Sequence, residues 1–252
     1  MKQLTRHKNR LLTLTAVILP LAIWFALTQL HVIDPIFLPG PLQTFTAFVA
    51  LLTPTFFRQE LLPSLLRIGG AFLLSVAVAF PLGVVCGQSL SVRRLVQPLF
   101  GFSRYLPVAA LVPLCILWFG IDDLQKISVI TIGVVFQLTL LFAADSASVP
   151  KELMEAGRTF GLSRAAIVWR IVLPFSMPAI WDDLRIASGW AWSYLVLAEL
   201  VAGNRGIGYF IIQSQRYLET DHVFAGILLV GLLGLLTDLF FQLSAARLFR
   251  WV

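Results

Sequence analysis

Between residues 127 and 144 the chain carries no charged side chain. An uncharged, largely apolar run of this kind approaches the roughly 20 residues that a helix needs to cross the hydrocarbon core of a bilayer. Five further stretches are largely apolar, at 11–33, 61–87, 96–119, 186–202 and 223–243, the last four each holding one charged residue. The one at 186–202 is the least uniform: Asp182, Asp183 and Arg185 crowd its start and Glu199 interrupts its end. Hydrophobic residues fill 58% of the 252 positions and charged ones only 13%, against about a quarter charged in a soluble domain. That much apolar surface requires lipid as part of its solvent. Within lipid, backbone polar groups must be satisfied inside the segment, so the spans are helices. The expected fold class is therefore all-α integral membrane, with about six transmembrane helices.

The charges set the topology. With the N-terminus inside, Lys2, Arg6, Lys8, Arg10, Arg93, Arg94, Lys151, Arg158, Arg164, Arg170, Arg247 and Arg250 fall in cytoplasmic segments. Only Arg58, Lys126, Arg205 and Arg216 fall outside, a clear positive-inside bias that puts both termini in the cytoplasm. The net charge of +6 is thus distributed as topology rather than as a stripe for nucleic acid. A basic N-terminus followed by an apolar run resembles a signal peptide. The run extends to about residue 33 without a small-x-small cleavage site and reads as a retained first span. Residues 1–60 then comprise a tail, that span and an outer loop broken by Pro35, Pro39, Pro41 and Pro54, with room for one interfacial helix. Residues 61–252 form the core. Within it, Gly83 and Gly87 share a helix face that suits close helix approach, and Pro81, Pro107 and Pro113 mark kinks or breaks. Cys86 and Cys115 sit in apolar runs as small buried hydrophobes.

One insert is polar. After Pro150, suited to a first helical turn, Glu152 and Glu155 favour a positive helix start. The helix expected there runs through Leu153, Met154, Ala156 and Phe160, and Gly161 can take the left-handed conformation that ends it. Ser163 can cap a second helix over 164–172, stopped by Leu173-Pro174. Ala156 and Gly157 leave a flat face for a partner, and Leu153, Met154 and Phe160 can fill a pocket in it. The alternative is a basic amphipathic segment that only anchors in the headgroups. The order Glu155-Ala156-Gly157, three residues, Gly161, nine residues, Ile171-Val172-Leu173-Pro174 resembles the EAA loop of ABC-importer permeases. Further echoes are Ser64-Leu-Leu-Arg67, Arg104-Tyr-Leu-Pro107, the segment from Pro113 to Gly120, and Gly206-Ile-Gly208. From Ser64 to Trp251 the chain resembles permeases of the nitrate/sulfonate/taurine/bicarbonate importers. Gly157 departs from the second alanine of the triplet, and Asp182-Asp183 stands where a neutral pair is usual.

The resemblance implies a type I importer permease fold with a cytoplasmic coupling helix in the loop at about 150–174, and ATPase contacts at Glu155, Ala156, Gly157, Arg158, Phe160, Gly161 and Leu162. It also implies partners: ABC ATPase subunits, a second permease copy forming a homodimer (or a second, different permease forming a heterodimer), a solute-binding protein outside, and the bacterial inner membrane around it. No G-x-x-x-x-G-K-[ST] occurs, so no Walker-type phosphate cradle is present and the chain is expected not to be an enzyme. ATP and Mg belong to the partner, with no cofactor in this chain. No metal-binding motif is legible: His7, His31 and His222 are scattered near span ends.

Charges within spans are functional candidates because lipid penalises them. Arg104, beside Pro107, and Glu199, paired with a cation such as Arg205, are candidates for the solute pathway, together with Arg67 and Trp192. The alternative is structural pairing for Arg104 and Glu199, snorkelling or an interfacial salt bridge for Arg67, and packing for Trp192. The function implied is a pathway for a small solute, an anion such as nitrate, bicarbonate or a sulfonate, with a neutral or heterocyclic nutrient precursor as a further option. The rival class is an ATP-independent transporter or channel, which calls for midplane carboxylates or inverted repeats.

Overall fold

The computed structural model describes residues 2–250, with side chains except at 2–14, 17 and 202. The side chains of Lys2, Arg6, His7, Lys8 and Arg10, and the whole of Trp251, lie outside the described residues. In chain order the helices are α1 (Lys2–Gln29), α2 (Pro41–Ala50), α3 (Pro54–Phe56), α4 (Leu62–Gln88), α5 (Leu90–Ser103) and α6 (Val108–Phe119). They continue as α7 (Asp123–Ala147), α8 (Lys151–Thr159), α9 (Arg164–Ile167), α10 (Leu173–Ala202), α11 (Ile207–Arg216) and α12 (Thr220–Leu248). Single π-helical turns at Phe57–Leu61 and Val168–Val172 lead into α4 and α10.

Among the described residues, four continuous helical runs are long and apolar enough to cross a bilayer: Pro54–Gln88, Asp123–Ala147, Arg164–Val201 and Thr220–Leu248. The span expected at 96–119 is not one straight helix. It begins earlier, at Leu90, and breaks into α5 and α6, which bend by 98° across Arg104–Pro107. Pro107 lacks an N–H and disfavours a helical residue before it, so the backbone leaves the helix there and restarts at Val108. In α1, the described apolar stretch is Ile18–Gln29.

The helix starting at Ser163 also departs from expectation, because Leu173-Pro174 does not stop it. Helix continues from Arg164 to Val201, and Pro174 occupies the first turn of α10. The π-turn immediately before it widens the hydrogen-bonding ring, so the missing proline N–H falls where the ladder is already rearranged. The fifth span accordingly begins well before residue 186.

Two compact units divide the chain. In the larger, Gln59–Tyr209 with Val230–Val252, α4 lies flat against α7. A Cβ on Gly83 would fall 3.0 Å from the Thr139 carbonyl oxygen, and one on Gly87 would fall 2.8 Å from that of Ala143. These glycines let the two backbones approach as their spacing predicts. Ala71, Ala79, Val134, Leu138 and Phe142 fill the seam, and α10 adds Ala187, Ala191 and Leu195. A second cluster joins Val112 and the buried thiol of Cys115 on α6 to Val129 and Ala198. In the smaller unit, Met1–Arg58 with Phe210–Leu229, the Trp24 indole donates to the Pro39 carbonyl at 2.9 Å and stacks 6.0 Å from Phe224. The proline-rich segment there contains the helix expected of it, α2, whose first turn is closed by Gly40 N–H on Gln43 Oε1 at 3.0 Å.

Candidate functional site

The polar insert folds as a helix–turn–helix. Pro150 precedes the first residue of α8, and Gly161, at φ +75°, ends the turn. Leu162 N–H donates to the Gly157 carbonyl at 3.0 Å, and the Ser163 hydroxyl accepts from Ala166 N–H at 3.2 Å as an N-cap. One face of α8 is seated on the π-turn: Met154 and Leu162 pack against Val149, Ile167 and Val172. Gly157 is buried on that face, where a Cβ would come 2.6 Å from Ile171 Cδ1. Thus Met154 and Gly157 face the fold and not a partner, contrary to the sequence expectation. Glycine stands here because the helix rests directly on Ile171. The opposite face is open: Glu155, Ala156 and Arg158 are exposed, as is Leu153, and Phe160 is 84% exposed.

A buried polar network closes the end of the unit where α4 and α7 begin and α10 ends. Glu199 is fully buried, and Arg67 Nη1 lies 2.6 Å from its carboxylate. The Ser64 hydroxyl and Gly208 N–H also donate to that carboxylate. Arg67 Nε donates to Asp123 at 2.8 Å; Nη2 approaches the same oxygen at 2.7 Å, off the hydrogen-bonding line. Arg67 Nη1 further reaches the carbonyl of Arg205, Gly206 N–H donates to Glu60, and Ile207 N–H donates to Ser64. The cation that pairs with Glu199 is therefore Arg67, and Arg205, the example the sequence offered, contributes its carbonyl to Arg67. The glycines are required sterically. Gly206 sits at φ +118°, where a Cβ would lie 2.5 Å from the Glu199 carboxyl carbon, and one on Gly208 would lie 2.6 Å from Glu199 Cβ. Two separate motifs, Ser64-Leu-Leu-Arg67 and Gly206-Ile-Gly208, thus converge on one carboxylate.

Trp192 is buried in the main core, its indole donating to Thr237 at 3.1 Å. Arg185 pairs with Asp238 at 2.6 Å and with Asp182 at 3.2 Å. Asp183 turns the other way and faces Asp145. Each of those two carboxyls keeps one solvent-shielded oxygen without a hydrogen-bond partner among the described residues.

Arg104 lies apart from all of these, at the break between α5 and α6. It lines a cavity of about 390 Å³ enclosed by α5, α4 and α7. Its guanidinium donates to the Tyr105 hydroxyl at 2.8 Å and stands 4.8 Å from that ring's centroid, a cation–π contact. Arg93 and Gln97 face the same cavity. Sequence reading had placed Arg93 only as a topological charge. The signal was present, since Arg93, Gln97, Gly101 and Arg104 follow helical spacing along one face of α5.

Membrane-length helices, a broken span and a helix seated on the bundle with one face free define the class: an α-helical integral membrane protein. The chain belongs to the family described as binding-protein-dependent transport system inner membrane component, which it matches over residues 79–250. It is 34% identical over 236 residues to the taurine transport system permease protein TauC of Escherichia coli, covering 92% of this chain and 86% of that protein. The putative aliphatic sulfonates transport permease protein SsuC of Bacillus subtilis is 32% identical over 240 residues, covering 95% and 86%. The bicarbonate transport system permease protein CmpB of Synechococcus elongatus is 29% identical over 227 residues, covering 85% and 80%. The fold is also that of a solved bacterial ABC transporter for alginate import, with a TM-score of 0.61 at 19% identity, covering 98% of this chain and 99% of that one. The chain is the transmembrane permease subunit of an ABC importer, and the family is a transport component rather than an enzyme.

Proposed function

We propose that this chain forms the membrane pathway for a small oxyanion, of the sulfonate or bicarbonate class, and works as a pair of identical copies. The relatives named above carry taurine, aliphatic sulfonates or bicarbonate, solutes that share an oxyanion group. The observation that carries the coupling role is the two-sidedness of α8: Gly157 and Met154 are packed inward while Glu155, Ala156 and Phe160 stand free. A helix held this firmly on one side transmits a push received on the other.

The push comes from separate ATPase subunits, which hold ATP and Mg. They dock on Glu155, Ala156, Arg158 and the projecting Phe160, while Gly157, Gly161 and Leu162 keep that surface in shape. On this reading the α8 end faces the bacterial cytoplasm, where the positive-inside count also puts both termini, and a solute-binding protein docks from outside. Two ATPases closing on ATP draw two copies of α8 together. Because α8 is seated on the continuous helix from Arg164 to Val201, the bundle rocks as a body and opens the pathway outward. Hydrolysis resets it.

Among the pathway candidates, burial and pairing support a holding role for Arg67, Glu199 and Trp192, while Arg104 faces a cavity. The test of docking is co-purification with the ATPase. Phe160→Asp is expected to abolish it while the variant still inserts; unchanged co-purification would place the ATPase contact elsewhere.

A further inference from the structure

The cavity under Arg104 is built for one kind of ligand. It presents two guanidiniums, Arg93 and Arg104, with Gln97 between them along α5, and no acidic residue lines it among the described residues. Neither arginine has a carboxylate within ion-pair distance among those residues. Elsewhere in the larger unit the charges of Arg67 and Arg185 are met by Asp or Glu. Arg104 is exposed at the helix break and Arg93 is half-buried, so both charges remain open to an arriving anion. Arg104 is held at the helix break by the Tyr105 hydroxyl and ring, with its charge uncancelled. Below it, Thr139 and Leu140 of α7 close the floor. A Cβ on Gly101 would meet nothing within 4 Å, so the wall between the two arginines is open. A volume of about 390 Å³ suits a small molecule.

We propose that this cavity binds the oxyanion group of the transported solute, and that it selects solutes lacking an ammonium group. The proposal rests on the importer reading and adds the residues that hold the oxyanion and the exclusion of an ammonium group. A sulfonate or hydrogencarbonate accepts charge-assisted hydrogen bonds from both guanidiniums. A zwitterion such as taurine brings the same sulfonate plus an ammonium, which finds two like charges and no carboxylate. Specificity arises from that missing partner. The cavity lies toward the α8 end, since Ala143 and Ala144 on its wall are a few residues from the start of α8. It is therefore an inner station, passed after the solute leaves its binding protein.

The experiment uses the permease–ATPase complex in nanodiscs without the solute-binding protein. The probes are isethionate and taurine, which differ by hydroxyl against ammonium. Isethionate is expected to bind about tenfold or more tightly than taurine. Arg93→Gln with Arg104→Gln should weaken isethionate by about tenfold or more, and Gly101→Leu should do so by filling the space. Arg94→Gln, an exposed neighbour off the cavity, should change nothing. Equal binding of the two solutes, or isethionate binding indifferent to the cavity variants, would overturn the proposal. So would binding that appears only as competition between phosphatidylglycerol and phosphatidylcholine discs, since the cavity would then hold a lipid headgroup. Failure of the importer reading has a different signature: the parent complex with its binding protein would show no ATP-dependent uptake at all.

Discussion

Arg67 and Glu199, 132 positions apart in sequence, meet at 2.6 Å, with the arginine side chain 2% exposed and the glutamate carboxylate wholly enclosed. Because both charges are out of solvent, removing one leaves the other uncompensated. Arg67→Ala or Glu199→Ala is expected to lower stability by about 3–5 kcal/mol. Replacing both at once, Arg67→Met with Glu199→Leu, should recover much of that. Thermal melting of the purified complex reads the difference. Singles no worse than the double would mean that the pair does not hold this end of the bundle.

The glycines around that carboxylate differ in kind from other glycines of the chain. Gly206→Ala combines positive φ with contact on the Glu199 carboxyl and should cost about 1–3 kcal/mol or more. Gly120 also has positive φ, at +77°, but open space around its Cβ position; its alanine variant should cost about 1–3 kcal/mol from backbone strain alone. Comparing the two melting shifts separates crowding from backbone strain.

At the coupling helix the decisive contact is Gly157 on Ile171. Gly157→Ala puts a methyl 2.6 Å from Ile171 Cδ1, the mobile end of a side chain. The variant should tilt α8 and cost about 1–3 kcal/mol of packing, seen as reduced ATP-dependent uptake. Ile171→Val removes the offending methyl and should restore uptake in the double variant. Absence of rescue would mean that Gly157 acts on the partner's surface, as the sequence alone suggested.

Trp192 separates packing from pathway. Trp192→Phe loses the hydrogen bond to Thr237 and should reduce stability by about 1 kcal/mol. The apparent KM for uptake should not move. A changed KM with unchanged melting would return Trp192 to the pathway.

What the sequence made legible was local. Gly161 and Ser163 act within a turn of where they stand, and their roles in the α8–α9 loop are those their chemistry predicts, whereas Pro150 sits at the N-cap, one residue before the first turn expected for it. Gly83 and Gly87 were readable because a helical spacing of four fixes a shared face. The Arg67–Glu199 pairing was not, since nothing local selects Arg67 over Arg205 as the partner of Glu199. Pro174 was misread because a π-turn upstream absorbs what would otherwise end a helix. Periodicity showed that α8 had an apolar stripe, yet could not say that Met154 and Gly157 lie under the helix while Phe160 points away. Arg93 was hidden by its double meaning, as one more cation in a short loop and as one wall of a cavity that only the bend at Arg104–Pro107 creates.

The most direct test of the central claim is uptake into proteoliposomes holding this chain and its ATPase, with the solute-binding protein supplied on the opposite face. The account predicts accumulation only with ATP, and its loss in Glu155→Lys while that variant still inserts and still folds. Uptake at the parental rate in Glu155→Lys, or solute flux through the permease alone with neither ATP nor ATPase present, would contradict it.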